Sequence, residues 1–317
     1  MLTRQQLDIP DDLARHPDEN RIADEHVGWL VGTGLLTGPR ARRFIHSTRI
    51  AETISQMAPH GLYQEVLWVT NAASWHLLIR EVFEAPDGLR LAEHTEFVRT
   101  LVAAIDARTP PSTQWHTAAI LCTNALTAPM SHRGARRYKS HWRRYLLACL
   151  ENARPASHCS TAFTEILQRR RILIGIAVLD SAEFLGRYEL PEHIAVLPEL
   201  ARYRAVTMDL CLLGRDLLHL DRERKIAAAH NTVVAYRDQH YCDWADAETH
   251  VLDIHHHRRH ELQELVALVL DHPAVTNQSS TDQINLRTYL RDLQRAAHAI
   301  TASHLPSRRH QDPFHTR

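Results

Sequence analysis

What most constrains this chain is how little interrupts its helices. Ten glycines and fourteen prolines in 317 residues cluster in short punctuating segments: TGPR near residue 39, APDG near 87 and RTPPS near 110. Between them, apolar residues recur at three and four. The clearest run spans Pro198 to Glu223, where Tyr203, Val206, Leu210, Leu213, Leu217 and Leu220 form one stripe. Its other face carries Met208, Arg215, His219 and Glu223. Similar periodicity runs from about Ala23 to Leu35, Arg40 to Met57, Leu62 to Glu84, Ala92 to Ala107, His141 to Ala153, Ala247 to Leu270 and Asn285 to Ser303. No segment alternates polar and apolar residues over strand length. The chain therefore reads as all-α, with ten or more helices and no internal repeat. We expect a single helical domain over 1–317, with polar tails at about 1–15 and 306–317 that order only on ligand binding.

Charge narrows the function classes. Lys plus Arg equals Asp plus Glu, 37 against 37, so no electrostatic footprint for nucleic acid or an anionic membrane is present. The cysteines, Cys122, Cys149, Cys159, Cys211 and Cys242, have no close pairs, which argues against a zinc cage or a disulfide framework. The start, MLTRQQLDIPDD, lacks the apolar run of a signal peptide, and the stretch from Ile172 to Leu179 is too short to span a bilayer. These features predict a cytoplasmic protein with a small-molecule substrate.

Several stretches resemble bacterial class I terpene synthases: HPDENRIADEHVGWLVGTGLL at 16–36, the segment from Tyr138 through HWRRYL to Leu179, Asp180 and Glu183, ELPEHIAVLPEL at 189–200, and HNTVVAY at 230–236. The resemblance covers nearly the whole chain from 16 to 310. It implies the class I terpenoid synthase helical bundle, an isoprenoid substrate, a magnesium cluster and, in many members, a homodimer. It also implies that Arg169, 46 positions before Arg215, is the diphosphate-sensing arginine, and that Arg309 with His310 stands where an Arg-Tyr pair closes over the substrate, after Ser303 and Ser307.

At the metal motifs the sequence departs from that family. The aspartate-rich motif expected five residues after Trp75 reads Arg80, Glu81, Val82, Phe83, Glu84, so the bridging carboxylate is an arginine. The second motif, which presents ligands at i, i+4 and i+8 on one helix face, reads Arg215, His219, Glu223. Glu223 is the only surviving ligand of that motif. Magnesium wants oxygen ligands, and guanidinium offers only donors. A guanidinium about 4 Å from a divalent ion is repelled by roughly 8 kcal/mol at an effective dielectric of about 20, less if the side chain swings away. Two readings of the arginines remain. Arg80, Arg169, Arg215 and Arg309 hold a diphosphate directly, or Arg80 with Glu84 and Arg215 with Glu223 form ion pairs where metal sites used to be.

Without metal-assisted ionisation, a reaction has to start by protonating an alkene, epoxide or allylic alcohol. Glu81, Glu84, Asp209, His219 and Glu223 are the candidate acids, each also readable as solvated, paired or merely packed. Trp75, Phe83 and Trp68 are placed to shield a cation by their ring faces, or to fill the core, while Ala302 stands where the family has a tryptophan. Gly175 marks a kink or a close approach; Ile172 or Leu173 stands where a glycine is expected. HHHRRHE at 255–261 puts His256 and His260 one turn apart, but with no third ligand it reads as a solvated face. The leading expectation is an atypical cyclase or isomerase working without the usual trinuclear magnesium cluster; a conventional magnesium-dependent prenyl diphosphate cyclase and a non-catalytic terpenoid-binding descendant are the alternatives.

Overall fold

The computed structural model describes residues 3–84, 91–153, 162–226 and 231–305. They form α1 (Glu19–Gly32), α2 (Gly38–Thr48), α3 (Ile50–Met57), α4 (Tyr63–Glu84), α5 (Leu91–Ile105), α6 (Gln114–Thr127), α7 (His132–Asn152), α8 (Phe163–Gly186), α9 (Glu192–Ala195), α10 (Pro198–Glu223), α11 (Thr232–His240), α12 (Trp244–Leu270), α13 (Pro273–Thr276) and α14 (Ser280–Ser303). There is no strand among the described residues. The starts are set by local chemistry: Thr113, Ser131, Asn231, Asp243 and Ser279 each accept a hydrogen bond from a backbone N–H in the first turn of the helix that follows.

α10 is the axis of the bundle, packed by α8, α12 and α14, while α4 packs on α3, α6, α1 and α8. α10 is buried around most of its circumference, including the charged Asp209, Asp216 and Glu223. A helix in that position cannot point its charges at water, so each needs a partner inside the protein. Gly214 is where α10 meets α14: a Cβ there would lie 2.6 Å from Thr301 Cγ2. We therefore expect Gly214→Ala to destabilise the chain by about 1–3 kcal/mol, measured by urea unfolding. Adding Thr301→Ala should recover most of the loss.

Two expectations change. The periodicity predicts one helix from Arg40 to Met57, but Arg49 adopts a left-handed φ of 53° and divides α2 from α3. Its guanidinium donates to the Ser303 and Leu305 carbonyls at 3.1 and 3.3 Å, capping the end of α14. The N-terminal segment is not a loose polar tail. Leu7 and Ile9 are buried in a cluster with Leu213, Leu217, Val233 and Val251, and Asp8 pairs with Arg259 at 3.1 Å. The two apolar side chains outweigh the polar composition around them. Residues 306–317 lie outside the described residues, and so do Ser307, Arg309 and His310. No helix among the described residues is long and apolar enough to cross a membrane.

Candidate active site

The second motif folds into a closed ion-pair network. Arg215 donates to Glu223 Oε1 and to Asp216 Oδ1, both at 2.7 Å. Asp216 is fully buried. It also receives both terminal nitrogens of Arg170, one at 2.8 Å, and the N–H and hydroxyl of Thr232 at 2.8 and 2.9 Å. Asn231 Nδ2 donates to Glu223 Oε2 at 2.8 Å and to the Asp216 carbonyl at 3.0 Å. Burial works to raise the Asp216 carboxyl, but Arg170 above all, then Arg215 and the Thr232 N–H, hold it below the usual carboxylate range. This one knot ties α8, α10 and the start of α11 together.

As folded, this donor set does not fit magnesium. One oxygen of Glu223 is taken by a guanidinium and the other by an amide, and Arg215 brings its charge to the place a ligand would occupy. Among the described residues, no group of three or more His, Cys, Asp or Glu side chains is placed to hold a metal ion.

The candidate acids on α10 do not suit that role here. Glu223 has both carboxyl oxygens engaged, one by Arg215 and the other by Asn231. Asp209, about four turns nearer the start of α10 than Glu223, is fully buried and takes Arg171 in bidentate fashion at 2.5 and 2.7 Å, with Arg258 at 3.2 Å. Burial shifts the Asp209 carboxyl upward against the pull of Arg171, yet the two-pronged contact is that of an ionised group. His219 lies beside His304, ring centroids 4.9 Å apart. Burial and then Arg215 lower its pKa, which disfavours the imidazolium that a protonation step needs.

On α4, Arg80 is partly buried and Glu81 is exposed; the Glu84 side chain lies outside the described residues. Trp75 is fully buried, donates from Nε1 to the Trp115 carbonyl at 3.1 Å and packs on Trp142 at 4.8 Å. Phe83 packs on His94 and Phe97, and Trp68 is a partly buried core neighbour. Arg169 is partly buried on α8, and its neighbour Arg170 reaches the second motif. α8 runs as one helix through Gly175. In the histidine run, His256 Nε2–H donates to the Gln6 carbonyl, 2.8 Å away, and His260 is exposed.

Sequence reasoning missed Arg170, Arg171, Asp216, Asn231 and Thr232. One signal was available: Arg170 and Asp216 repeat the 46-residue spacing of Arg169 and Arg215, one position on.

Buried neutral histidines give the chain a distinct acid response. Burial lowers His26 and His255 to about 4, and His76 and His304 to about 3. A depressed folded-state pKa means that the unfolded chain binds more protons below about pH 6.5, so stability is present above that pH and drains away as pH falls. We expect a loss of roughly 1 kcal/mol per pH unit for each such histidine between pH 6.5 and the folded pKa. Chemical unfolding from pH 7.5 to 5 checks this; a flat profile contradicts it.

Comparison with known proteins agrees with this architecture. The solved structure of germacradien-4-ol synthase from Streptomyces citricolor superposes with a TM-score of 0.82 at 18% identity, over 94% of this chain and 97% of that one. Linalool/nerolidol synthase from Streptomyces clavuligerus, solved in complex with 2-fluorogeranyl diphosphate, gives 0.79 at 20% identity, over 93% and 96%. The fold is thus the all-α class I terpenoid synthase bundle. Pristinol synthase of Streptomyces pristinaespiralis is 24% identical over 268 residues, 82% of this chain and 72% of that protein. Residues 72–261 match the family described as terpene synthase family 2, C-terminal metal binding, and the chain belongs to that family, as an enzyme of the terpene synthase type.

Proposed function

We propose that this chain is an isoprenoid cyclase or isomerase that works in a terpene synthase pocket without the usual trinuclear magnesium cluster. The observation that carries this is the closure of Arg215 on Glu223 and Asp216, which puts a fixed monovalent cation where the family keeps a metal face. Arg169 and Arg80, joined by Arg309, then serve as direct partners of any phosphate oxygens on the substrate, since guanidinium binds them in bidentate fashion and stays charged. Asp209, Glu223 and His219 are committed elsewhere, and Glu81 and Glu84 remain the acids to test for a protonation-initiated reaction. Trp75 and Phe83, on the same helix α4, contribute ring faces.

The second reading is a conventional magnesium-dependent cyclase of a linear prenyl diphosphate. Family membership and the 2-fluorogeranyl diphosphate complex of the linalool/nerolidol synthase favour it, and it requires Arg215 to leave Glu223 when metal arrives. Incubation with geranyl, farnesyl and geranylgeranyl diphosphates, with magnesium and with chelator, separates the two. We expect diphosphate release to differ by less than about twofold between the conditions. A magnesium stimulation of about tenfold or more, worth ~1.4 kcal/mol in barrier, sinks the metal-independent reading.

A further inference from the structure

His76 lies on α4 four residues before Arg80, on the same helix face and one turn further from the Arg80 end. It is buried, and among the described residues neither ring nitrogen has a hydrogen-bond partner. The Ala72 carbonyl, one turn back, favours a proton on the ring without meeting it in hydrogen-bond geometry. The ring packs between Trp142, at 4.3 Å between centroids, and Tyr145, at 4.6 Å. Tyr145 donates its hydroxyl to the carbonyl of His76 itself. Trp142, on α7, is fully buried, and its Nε1–H also lacks a partner.

Two orphaned polar groups thus lie side by side inside an aromatic cage. Either alone is costly to bury, and their chemistry is complementary. Indole is a donor only, whereas neutral imidazole keeps one acceptor nitrogen. A carbonyl oxygen would serve the indole and leave that acceptor unmet. A hydroxyl oxygen serves both, accepting from Trp142 Nε1–H and donating to His76.

We propose that His76 and Trp142 hold one hydroxyl oxygen in the interior of the bundle, carried either by a water or by an isoprenoid alcohol. The isoprenoid source rests on the reading of this interior as a terpenoid pocket; it does not depend on whether magnesium is used. In the water case His76 positions a nucleophile beside the cage, and in the alcohol case it positions a ligand's polar end.

High-resolution crystal structures of the full chain, alone and soaked with farnesol, test this together with binding calorimetry of farnesol and of the hydrocarbon β-farnesene. An oxygen within hydrogen-bond distance of both rings is expected. If it belongs to farnesol, the wild type prefers farnesol over farnesene by about fivefold, the worth of a typical hydrogen bond, and both His76→Phe and Trp142→Phe abolish the preference. If it is water, it is present in the ligand-free crystal, the two ligands bind alike, and each variant loses it. Should neither isoprenoid bind while the water stands between the rings, the pocket reading fails and the hydroxyl site survives. Crystals with no oxygen bridging the two rings overturn the proposal. Both variants keep an aromatic ring, and the wild-type crystals decide the matter even if one variant fails to fold.

Discussion

Asp216→Ala is expected to destabilise this chain by about 3–5 kcal/mol, because removing one member of a buried charge network leaves its partners unpaired. The carboxylate is inaccessible to water and is the meeting point of Arg170, Arg215 and Thr232. Without it, two guanidinium groups on two helices lose their shared counter-charge, and the Thr232 N–H at the start of α11 loses its acceptor. For a chain of this size the melting temperature should fall by about 10 °C. Asp216→Asn should lose most of the same stability while keeping the shape, which separates charge from packing. The pH dependence follows from the depressed carboxyl. Its contribution is present above the unfolded carboxylate pKa and is lost only as pH falls through the lower folded value. The difference between wild type and Asp216→Ala should therefore stay constant above about pH 5 and shrink only in strong acid. Glu96→Ala serves as a control, since its pair with Arg99 is exposed on both sides and is expected to be silent. A silent Asp216→Ala would mean that the network is ornamental and that the closure of the second motif has another cause.

The helices were legible because their apolar spacing is regular and their caps are local. Pro198 to Glu223 is helical to both predicted ends, since a proline that suits a first turn and a continuous leucine stripe act through nearest neighbours. Arg49 was not legible. Its left-handed turn is stabilised by carbonyls some 250 residues away, and nothing in Arg40 to Met57 encodes that. Leu7 and Ile9 were missed for a similar reason: two apolar residues in a polar segment have no period, and only the groove beside α10 and α12 gives them a place. At the site, the replacement of metal-ligand types by arginine could be read directly. The identity of the partners could not, because spacing along a helix tells which side chains share a face and says nothing of which neighbouring helix supplies the counter-charge. Asp216 points to the side of α10 that the i, i+4, i+8 pattern ignores, so a search for ligands passes over it.

Arg215→Asn combined with His219→Ser tests whether charge alone keeps metal out of the second motif. The substitutions leave Glu223 in place and remove the guanidinium that now donates to it at 2.7 Å. They also relieve His304 of two neighbours, His219 and Arg215, that lower its imidazole. Magnesium binding to the folded state alone raises stability by about 2.7 kcal/mol when the free ion is at about 100 times its Kd. We expect the wild-type melting temperature to be indifferent to magnesium, and the double variant to be less stable without the ion and to regain stability as it is titrated in. The measurement needs no substrate and no turnover. If the wild type is itself stabilised by magnesium, Arg215 yields to the ion and the conventional mechanism is restored. If neither protein responds, the remaining oxygens around Glu223 are the wrong set, and the loss of the metal site extends beyond the two substituted positions to Arg80 and the far motif on α4. The three outcomes thus distinguish a site blocked by one charge, a site that is merely latched, and a site rebuilt from both helices.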